Sequence, residues 1–457
     1  MVVTVTCYGG VSEIGGNKIL LTDRDTKVLL DFGAGFTEGT SFFSSAIEPR
    51  RVNGAGDYFE FGLLPEISGL YSEEALQNTA MSHAAPEVDA VLLSHYHYDH
   101  MGRIDLVDPS IPVYCGATTE LIHNSANSTG RSPLSGHEIR TFRTGDRLRI
   151  GAIEVEPIHV DHSIPGAYGF LIHTSEGSIA YTGDFRFHGP MGSMTQDFVA
   201  AASKAKPALL ISEGTRVAPV DPKKEMSEAD VESETTSILA GSRNLVFSSF
   251  RGNDVDRILS FHRACERSGR RLVVSMKVAA LLKELEKDKH LSVPKLGKDF
   301  SVYVRRKRAG TYDDGEYWKW EREFLDHGVT AEDVRRQQGN LFLHLDQWYF
   351  PELIDIKPER GGSYIHATTE AFNEEGEQDE EVIHNWVDHF GFSYHQLHAS
   401  GHAPMDRVSS LVNGIDARVV IPVHTSRPDL FASIVKNGQV VPPQKARPVQ
   451  LGQKNAT

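Results

Sequence analysis

A dense cluster of potential metal ligands constrains this chain more than any other sequence feature. Residues 94–100 read SHYHYDH, with three histidines and one aspartate directly after the apolar run 90–93. Such a run predicts a buried strand, and mixed α/β layers place reactive groups where strands end. Neutral imidazoles and carboxylates suit borderline divalent cations, zinc above all. The pattern therefore predicts a metal site, with room for two ions, at a strand end.

Further candidate ligands follow other predicted strands. His162, Asp184 and His424 each come after a strand-like run, and a carboxylate such as Asp184 can bridge two cations. His159, close to His162, is interpreted as a structural histidine. A metal pair can activate water at neutral pH, so metal-assisted hydrolysis is the predicted reaction class. Phosphodiester, carboxylic ester, thioester and lactam substrates stay open on these residues alone.

Length and composition limit the number of domains, the binding partners and the compartment of the protein. A chain of 457 residues suggests two or three domains. The 62 acidic and 47 basic residues give a net charge of −15, which argues against binding nucleic acid through the whole surface but allows a local basic groove. Three widely spaced cysteines predict free thiols in a reducing, cytoplasmic compartment. No apolar run approaches a membrane span, and no secretory signal is expected.

The pattern of predicted strands, helices and turns changes twice along the sequence. Residues 1–215 alternate apolar runs with Gly-rich turns, whereas the next stretch has the strand–helix–strand rhythm of a parallel sheet. From about residue 385, strand-like runs accompanied by histidines appear again. We therefore expect an α/β protein with a first domain at 1–215, an inserted domain at 216–384, and the rest of the first domain at 385–457.

Four further motifs narrow the chemistry. Residues 9–17 read GGVSEIGGN and residues 162–166 read HSIPG. Residues 211–215, ISEGT, put Glu213 at a strand end, and residues 398–403, HASGHA, form a small-residue loop with phosphate donors.

Together these motifs resemble the β-CASP nucleases of the metallo-β-lactamase superfamily, and within them the RNase J type, especially its compact archaeal form. The resemblance covers essentially the whole chain. It implies a four-layer αββα domain interrupted by an α/β β-CASP domain with a parallel sheet.

The resemblance also implies the ligand set. Two zinc ions, or manganese in their place, would be bound, with Asp99 and Asp184 also serving catalysis. One ion would be held by His95, His97 and His162, the other by Asp99, His100 and His424, with Asp184 bridging. Asp31 would orient a ligand histidine.

Substrate contacts are expected around the two later motifs. Glu213 would orient His398, which would protonate the leaving oxygen. Five side chains would hold substrate phosphate: Ser248, Ser249 and Asn253 in FSSFRGN, and Ser400 and His402. The FSSFRGN segment resembles a phosphate-gripping segment between the domains, although the spacing to the next arginine is one residue longer than in the family.

The function implied is a di-zinc ribonuclease that removes nucleotides processively, 5′ to 3′, from single-stranded RNA with a 5′-monophosphate. A β-CASP endoribonuclease is the alternative; an ester or thioester hydrolase and a non-catalytic RNA-binding scaffold are weaker ones. A homodimer is left open. Aromatic residues Tyr317, Trp318 and Trp320 either pack a helix against the core, the favoured interpretation, or stack on bases.

Overall fold

The computed structural model describes residues 2–36, 41–43, 46–218, 225–369 and 374–451. Its strands are β1 Thr4–Gly9, β2 Lys18–Asp23, β3 Thr26–Phe32, β4 Ala90–Leu92, β5 Val113–Gly116, β6 Ile139–Phe142, β7 Leu148–Ile150, β8 Ile153–His159, β9 Tyr168–Thr174, β10 Gly177–Tyr181, β11 Leu209–Glu213, β12 Val246–Ser249, β13 Arg271–Val274, β14 Phe300–Tyr303, β15 Gly328–Val329, β16 Leu341–His344, β17 Ser363–His366, β18 Ser393–Gln396, β19 Val419–Val423, β20 Gln439–Val440 and β21 Pro448–Gln450.

The α-helices of the described residues lie between these strands. They are α1 Gly56–Glu60, α2 Tyr98–Met101, α3 Ala117–Thr129, α4 Gly192–Ala205, α5 Glu228–Gly241, α6 Val255–Ser268, α7 Met276–Leu285, α8 Lys319–Arg322, α9 Ala331–Arg336, α10 Glu352–Ile356, α11 Glu374–Phe390, α12 Met405–Ile415 and α13 Phe431–Ile434.

Two seven-stranded sheets form the first domain. Their strand orders are β21-β1-β2-β3-β4-β5-β6 and β20-β19-β11-β10-β9-β8-β7. Alternate side chains of one strand pack into different hydrophobic cores. Val28 and Leu30 of β3 lie in the core between the two sheets, whereas Leu29 lies in the core on the outer face of its sheet. The outer core of the second sheet includes residues of α4 and α12. Burial on both faces explains the continuous apolar runs, and the αββα layering predicted above is confirmed.

The third sheet is entirely parallel and forms the inserted domain. Its order is β15-β14-β13-β16-β12-β17-β18, with α5, α6 and α7 packed on one face and α9, α10 and α11 on the other. The predicted parallel sheet is thus confirmed. Its strands end at one common edge, where ligands of open α/β sheets bind.

Two local expectations differ from the structure. The return to the first domain was expected at residue 385, but β18 still pairs with β17 in the third sheet, because α11 is one more crossover helix. Residues 312–324, whose aromatic side chains were expected to lie on a helix, form a 3₁₀ turn, Asp314–Glu316, followed by the single turn α8. Tyr317 between them is buried, and its hydroxyl donates to the Arg305 carbonyl.

Buried ionic contacts join the two domains. Arg186 of the first domain lies 2.5 Å from Asp256 and 3.6 Å from Glu228, both in the inserted domain. Arg257 donates two hydrogen bonds to Glu228 and a further one, of 2.7 Å, to the Ala367 carbonyl. Because a buried charge is costly without its partners, the Arg186 contacts hold the domains in one orientation, and Arg257 holds Glu228 in place for them.

Two further observations complete the comparison with the sequence. All three cysteines are free and buried. In the described part of the chain, no helix combines the length and the apolar character that a membrane crossing requires.

We predict that Arg257→Met destabilises the protein by about 3–5 kcal/mol, because the buried Glu228 loses both of its arginine hydrogen bonds and keeps, of its arginine partners, only Arg186 at 3.6 Å. Arg263→Met is the matched control. Arg263 lies on the same helix and pairs with Glu232, but its side chain is 42% exposed, so its loss should cost at most about 1 kcal/mol. Urea unfolding followed by circular dichroism measures both. Equal midpoints for the two variants would contradict a structural role for the interface.

Candidate metal centre and active site

The 94–100 segment turns sharply from a strand into one helical turn. His95 and His97 lie in the extended stretch after β4, so alternate side chains face the same side, while Tyr96 points away and its hydroxyl bonds to Ser132. Asp99 and His100 then follow in α2. The turn approaches the segment after β3 closely: a Cβ on Gly33 would lie 1.7 Å from the Asp99 carbonyl oxygen. Glycine is therefore required at position 33 for the loop to sit where it does.

Three histidines form the first ligand group with Asp184. The His97 Nδ1 atom lies 3.0 Å from His95 Nε2 and 3.1 Å from His162 Nε2. The Asp184 Oδ2 atom lies 3.6 Å from His95 Nε2 and 3.9 Å from His162 Nε2. The Gly401 carbonyl oxygen orients the His162 ring, because it lies 2.5 Å from Nδ1, the nitrogen that does not face the ligand group. All four potential ligand atoms lie within 4.8 Å of one another.

The second ligand group shares Asp184 with the first. His100 Nε2 lies 3.0 Å and His424 Nε2 lies 3.6 Å from Asp184 Oδ2, and Asp99 Oδ2 lies 2.9 Å from His424 Nε2. Thr215 Oγ1 lies 2.7 Å from His424 Nδ1. Hence the residues expected to hold two ions lie together in the two expected groups, with Asp184 between them.

Asp31 organises the floor of the site, as expected. Its Oδ2 atom accepts hydrogen bonds from His100 Nδ1 at 2.8 Å, from the Ser94 hydroxyl at 2.8 Å and from the Tyr181 hydroxyl at 2.6 Å. Asn17 in turn donates to the Tyr181 hydroxyl at 3.1 Å. With Nδ1 held by Asp31, His100 turns its Nε2 atom toward Asp184 and the ligand groups.

Two site residues have backbone angles that L-residues rarely adopt. Asp31 has φ 58° and His424 has φ 52°, both in the left-handed region. Each such residue costs on the order of 1–3 kcal/mol and persists only where surrounding contacts enforce it. The enforcing contacts are the three hydrogen bonds on Asp31 and the bond from the His424 N–H to the Gly10 carbonyl. Gly10 belongs to the GGVSEIGGN opening, which therefore supports the metal centre directly.

The charges of the cluster fit divalent cations. Burial lowers the pKa of His95 and His162 far below the usual range and that of His97 to about 4, so these rings are neutral. Burial would also lower the pKa of His100, but Asp184 and its neighbouring carboxylates outweigh it and raise that pKa. Among the described residues, the buried Asp184 Oδ1 has no hydrogen-bond partner. Lone pairs of neutral imidazoles and carboxylates converge here, and metal cations would satisfy them.

The Glu213 carboxylate contacts His402 and not His398. Its Oε1 atom lies 3.1 Å from His402 Nδ1 and also accepts the Phe185 N–H, while Oε2 accepts the Thr215 N–H. The His402 ring also lies 3.9 Å from Asp184 Oδ2. The expectation that Glu213 orients His398 is therefore wrong.

His398 has a different environment within the same loop. Burial, together with the nearby Arg257 guanidinium, lowers the pKa of His398 to about 3. Neither ring nitrogen makes a hydrogen bond of normal geometry among the described residues. An imidazole that is neutral at physiological pH is a poor proton donor, so the geometry favours His402 over His398 for that role.

The expected phosphate contacts are partly brought together. The Ser400 hydroxyl accepts the His402 N–H at 3.1 Å. Ser248 and Ser249 end β12, which is separated from β18 by β17 alone. The buried Ser248 hydroxyl has no partner among the described residues, whereas the Ser249 hydroxyl bonds to Tyr364. Asn253 lies between β12 and α6 and is half-buried.

Several residues of the site are not evident from the sequence. Arg186 and His188 both reach the Ser400 carbonyl oxygen, at 3.2 and 2.9 Å. Three further residues orient the ligands: Thr215, Tyr181 and Ser94. Of these, only Thr215 could have been identified from the sequence, because it lies in the same ISEGT motif as Glu213.

We predict that Asp31→Asn weakens metal binding about 10–100-fold, because the amide cannot accept all three hydrogen bonds that Asp31 Oδ2 receives, one of which fixes the His100 ring. Metal affinity is measured by competition with a chromogenic chelator. Asp25→Asn, an exposed change in the turn before the same strand, is the control and should leave affinity unchanged. Unchanged affinity in Asp31→Asn would contradict the orienting role.

Comparisons with known proteins agree with this geometry. A model of the β-lactamase superfamily domain matches residues 65–240. The chain is 23% identical over 360 residues to ribonuclease J of Sinorhizobium meliloti, covering 75% of this chain and 58% of that protein. It is 22% identical over 431 residues to ribonuclease J2 of Bacillus subtilis, covering 92% and 69%. The chain thus spans less than two thirds of the length of the first of these relatives.

A solved structure shares the fold along the whole chain. The crystal structure of a protein of unknown function from Enterococcus faecalis matches with a TM-score of 0.76 and 23% identity, covering 99% of this chain and all of that one. The resemblance drawn from the motifs is confirmed at this level: residues 65–240 match a β-lactamase superfamily domain, a parallel-sheet domain of the β-CASP type interrupts the αββα layers, and the chain is similar in sequence to ribonucleases J.

Proposed function

We propose that this protein is a metal-dependent ribonuclease of the RNase J type, which removes nucleotides from the 5′ end of RNA and prefers a 5′-monophosphate. The observation that carries the proposal is the Glu213–His402 pair beside the two expected ligand groups. Asp184 belongs to both groups and also lies within 4.8 Å of the pair. Hydrolysis of a phosphodiester needs both a means to activate water and a proton donor for the leaving oxygen, and this site places residues for each side by side. The names of the similar ribonucleases support RNA as the substrate.

Zinc is the proposed ion, with manganese as the substitute. The residues that would hold the two ions are His95, His97, His162, Asp99, His100, His424 and the shared Asp184. When bound, such ions polarise a phosphoryl oxygen and lower the pKa of water.

The chain supplies the proton through His402. Glu213 accepts from Nδ1 of His402, and its own two oxygens are fixed by the N–H groups of Phe185 and Thr215. A carboxylate at this position accepts from Nδ1–H and so fixes the orientation of the imidazole ring. The Nε2–H group is then available to the 3′ oxygen that leaves when the phosphodiester is cleaved.

A terminal phosphate fits at the end of β12. β12 lies two strand spacings, roughly 10 Å, from β18 and the loop that follows it. The unpartnered buried hydroxyl of Ser248 is a donor for a phosphate oxygen, with Ser249, Asn253 and Ser400 nearby in the fold. If these short donors enclose a single phosphate, they would admit a 5′-monophosphate better than a triphosphate, and this is the reason for proposing exonucleolytic action from the 5′ end.

We predict that His402→Ala lowers the single-turnover rate of RNA hydrolysis about 10²–10⁴-fold. His398→Ala, a change in the same loop, should have a much smaller effect, because the His398 ring does not contact Glu213 or Asp184. Rapid-quench kinetics at saturating RNA, with metal content checked in each variant, measures the difference. A larger loss in His398→Ala than in His402→Ala would restore His398 as the proton donor.

We predict faster decay of 5′-monophosphorylated than of 5′-triphosphorylated RNA of one sequence, with mononucleotides released from the start. Ser248→Ala should reduce this preference about 10-fold or more, because a charge-assisted hydrogen bond to phosphate is worth about 1.5–3 kcal/mol. Ser237→Ala, on the exposed face of α5, is the matched control. Equal rates on both ends, with internal fragments appearing first, would identify an endonuclease instead.

A further inference from the structure

A cavity opens at the carboxyl edge of the parallel sheet, at the end of that edge away from β18. It encloses about 600 Å³, within the range of small-molecule sites, and lies between the end of α3 in the first domain and the inserted domain. On the inserted-domain side it is formed by the residues that follow β13 and β14, at the carboxyl edge of the parallel sheet. Since β14 is five strand spacings from β18, the cavity is roughly 24 Å from the proposed active-site loop.

Aromatic faces in the cavity are arranged for stacking. The Trp318 side chain is 70% exposed, although tryptophan is costly to leave in water. The Arg305 guanidinium lies 3.9 Å from the centre of the Tyr349 ring, which makes a flat, cationic platform. The favoured sequence interpretation, that this aromatic cluster packs the core, holds for Tyr317 but not for Trp318.

Positive charge accompanies the aromatic faces. Lys277 and Arg305 line the cavity, and neither has a carboxylate within 4 Å among the described residues. Lys307 also lines it, but two 2.8 Å bonds to Glu321 neutralise it. The cavity therefore attracts an anion.

Two independent observations mark where a polar ligand would sit. The first turn of the ten-residue helix α7 faces the cavity through Ser275, Met276 and Lys277, and helix N-termini attract phosphate. His344, 1% exposed, also lines the cavity, and its Nδ1 atom has no hydrogen-bond partner in the described chain. Its Nε2 atom lies against two acceptors, the Phe250 carbonyl and Asp346, so the ring proton sits there and Nδ1 is an unused acceptor.

A path of positive charge joins the cavity to the metal centre. Arg251 is exposed and follows β12, which β17 alone separates from β18 and the proposed active-site loop. Lys277 follows β13, and Arg305 follows β14. The sheet order places these three arginine and lysine residues along one edge, leading from the metal centre to the cavity.

We propose that this cavity is a nucleotide subsite for the RNA strand, in which a base stacks on Trp318 or the Arg305–Tyr349 platform while Lys277 and the α7 N-terminus hold a phosphate. The proposal rests on the proposed ribonuclease function, and it locates where the strand lies several nucleotides from the scissile bond. His344 Nδ1 then accepts a hydrogen from a ribose hydroxyl or a base amino group.

The test compares the affinity of Trp318→Ala and wild-type protein for 5′-phosphorylated, phosphorothioate-protected RNA of two and twelve nucleotides. Base stacking on an aromatic ring is worth about 5- to 150-fold in affinity, so the variant should lose that much for the twelve-mer and nothing for the dinucleotide, which cannot span the distance. Trp348→Ala is the matched control, since Trp348 is 89% exposed but does not line the cavity. Lys277→Ala should reduce the dependence of log affinity on log salt by about 0.7.

The outcomes separate this inference from the proposed function. If wild-type protein binds the twelve-mer but Trp318→Ala binds it equally well, the subsite is wrong and the ribonuclease function stands. If wild-type protein neither binds nor hydrolyses RNA, the proposed function fails and the subsite fails with it. If adenosine monophosphate alone quenches the Trp318 fluorescence while twelve-mer affinity is unchanged by Trp318→Ala, the cavity holds a free mononucleotide and the strand proposal is overturned.

Discussion

The structure of this site depends on one buried carboxylate, Asp184. Its Oδ2 atom lies within 3.9 Å of ring nitrogens from five histidines that come from distant parts of the chain: His95, His100, His162, His402 and His424. Several of these rings are neutral, so their lone pairs and the carboxylate face each other inside the protein. Such an arrangement is unfavourable until cations enter it, so metal binding would stabilise the fold of this region. The two sheets of the first domain bring these segments to one place by ending their strands there.

The loop after β18 connects this centre to the inserted domain. The Gly401 carbonyl lies against His162, the Ser400 carbonyl is held by Arg186 and His188, and the Ala399 carbonyl accepts from Arg257. Three successive carbonyls are therefore fixed by both domains at once. The position of His402 next to Glu213 depends on the orientation of one domain on the other, so a change at the buried interface would alter catalysis without touching a metal ligand.

Much of the fold and of the candidate site could be predicted from the sequence, because apolar runs show where strands end. Apolar runs at 28–30, 90–93 and 208–211 are strands, each followed by a residue of the site, and the ligand groups lie together as their motifs implied. The choice between His398 and His402 was not accessible, since the two lie in one hexapeptide and only the loop path decides which reaches Glu213. The segment 312–324 has helical composition, but burial of Tyr317 and the capping contact of Glu321 with the Trp318 N–H break it into short turns.

The net charge of −15 is compatible with a polyanionic substrate once the partners of each charge are considered. Many exposed cations of the inserted domain are neutralised locally: Arg306 pairs with Asp355 and Lys283 with Glu323. Surface pairs of this kind contribute little field beyond about a Debye length of 8–10 Å. Lys277 and Arg305, without carboxylate partners in the described chain, therefore set the potential in the space between the domains. For the RNA substrate proposed above, the excess negative charge elsewhere would repel the strand from the remaining surface, so electrostatics would favour the sheet edge that carries Lys277 and Arg305.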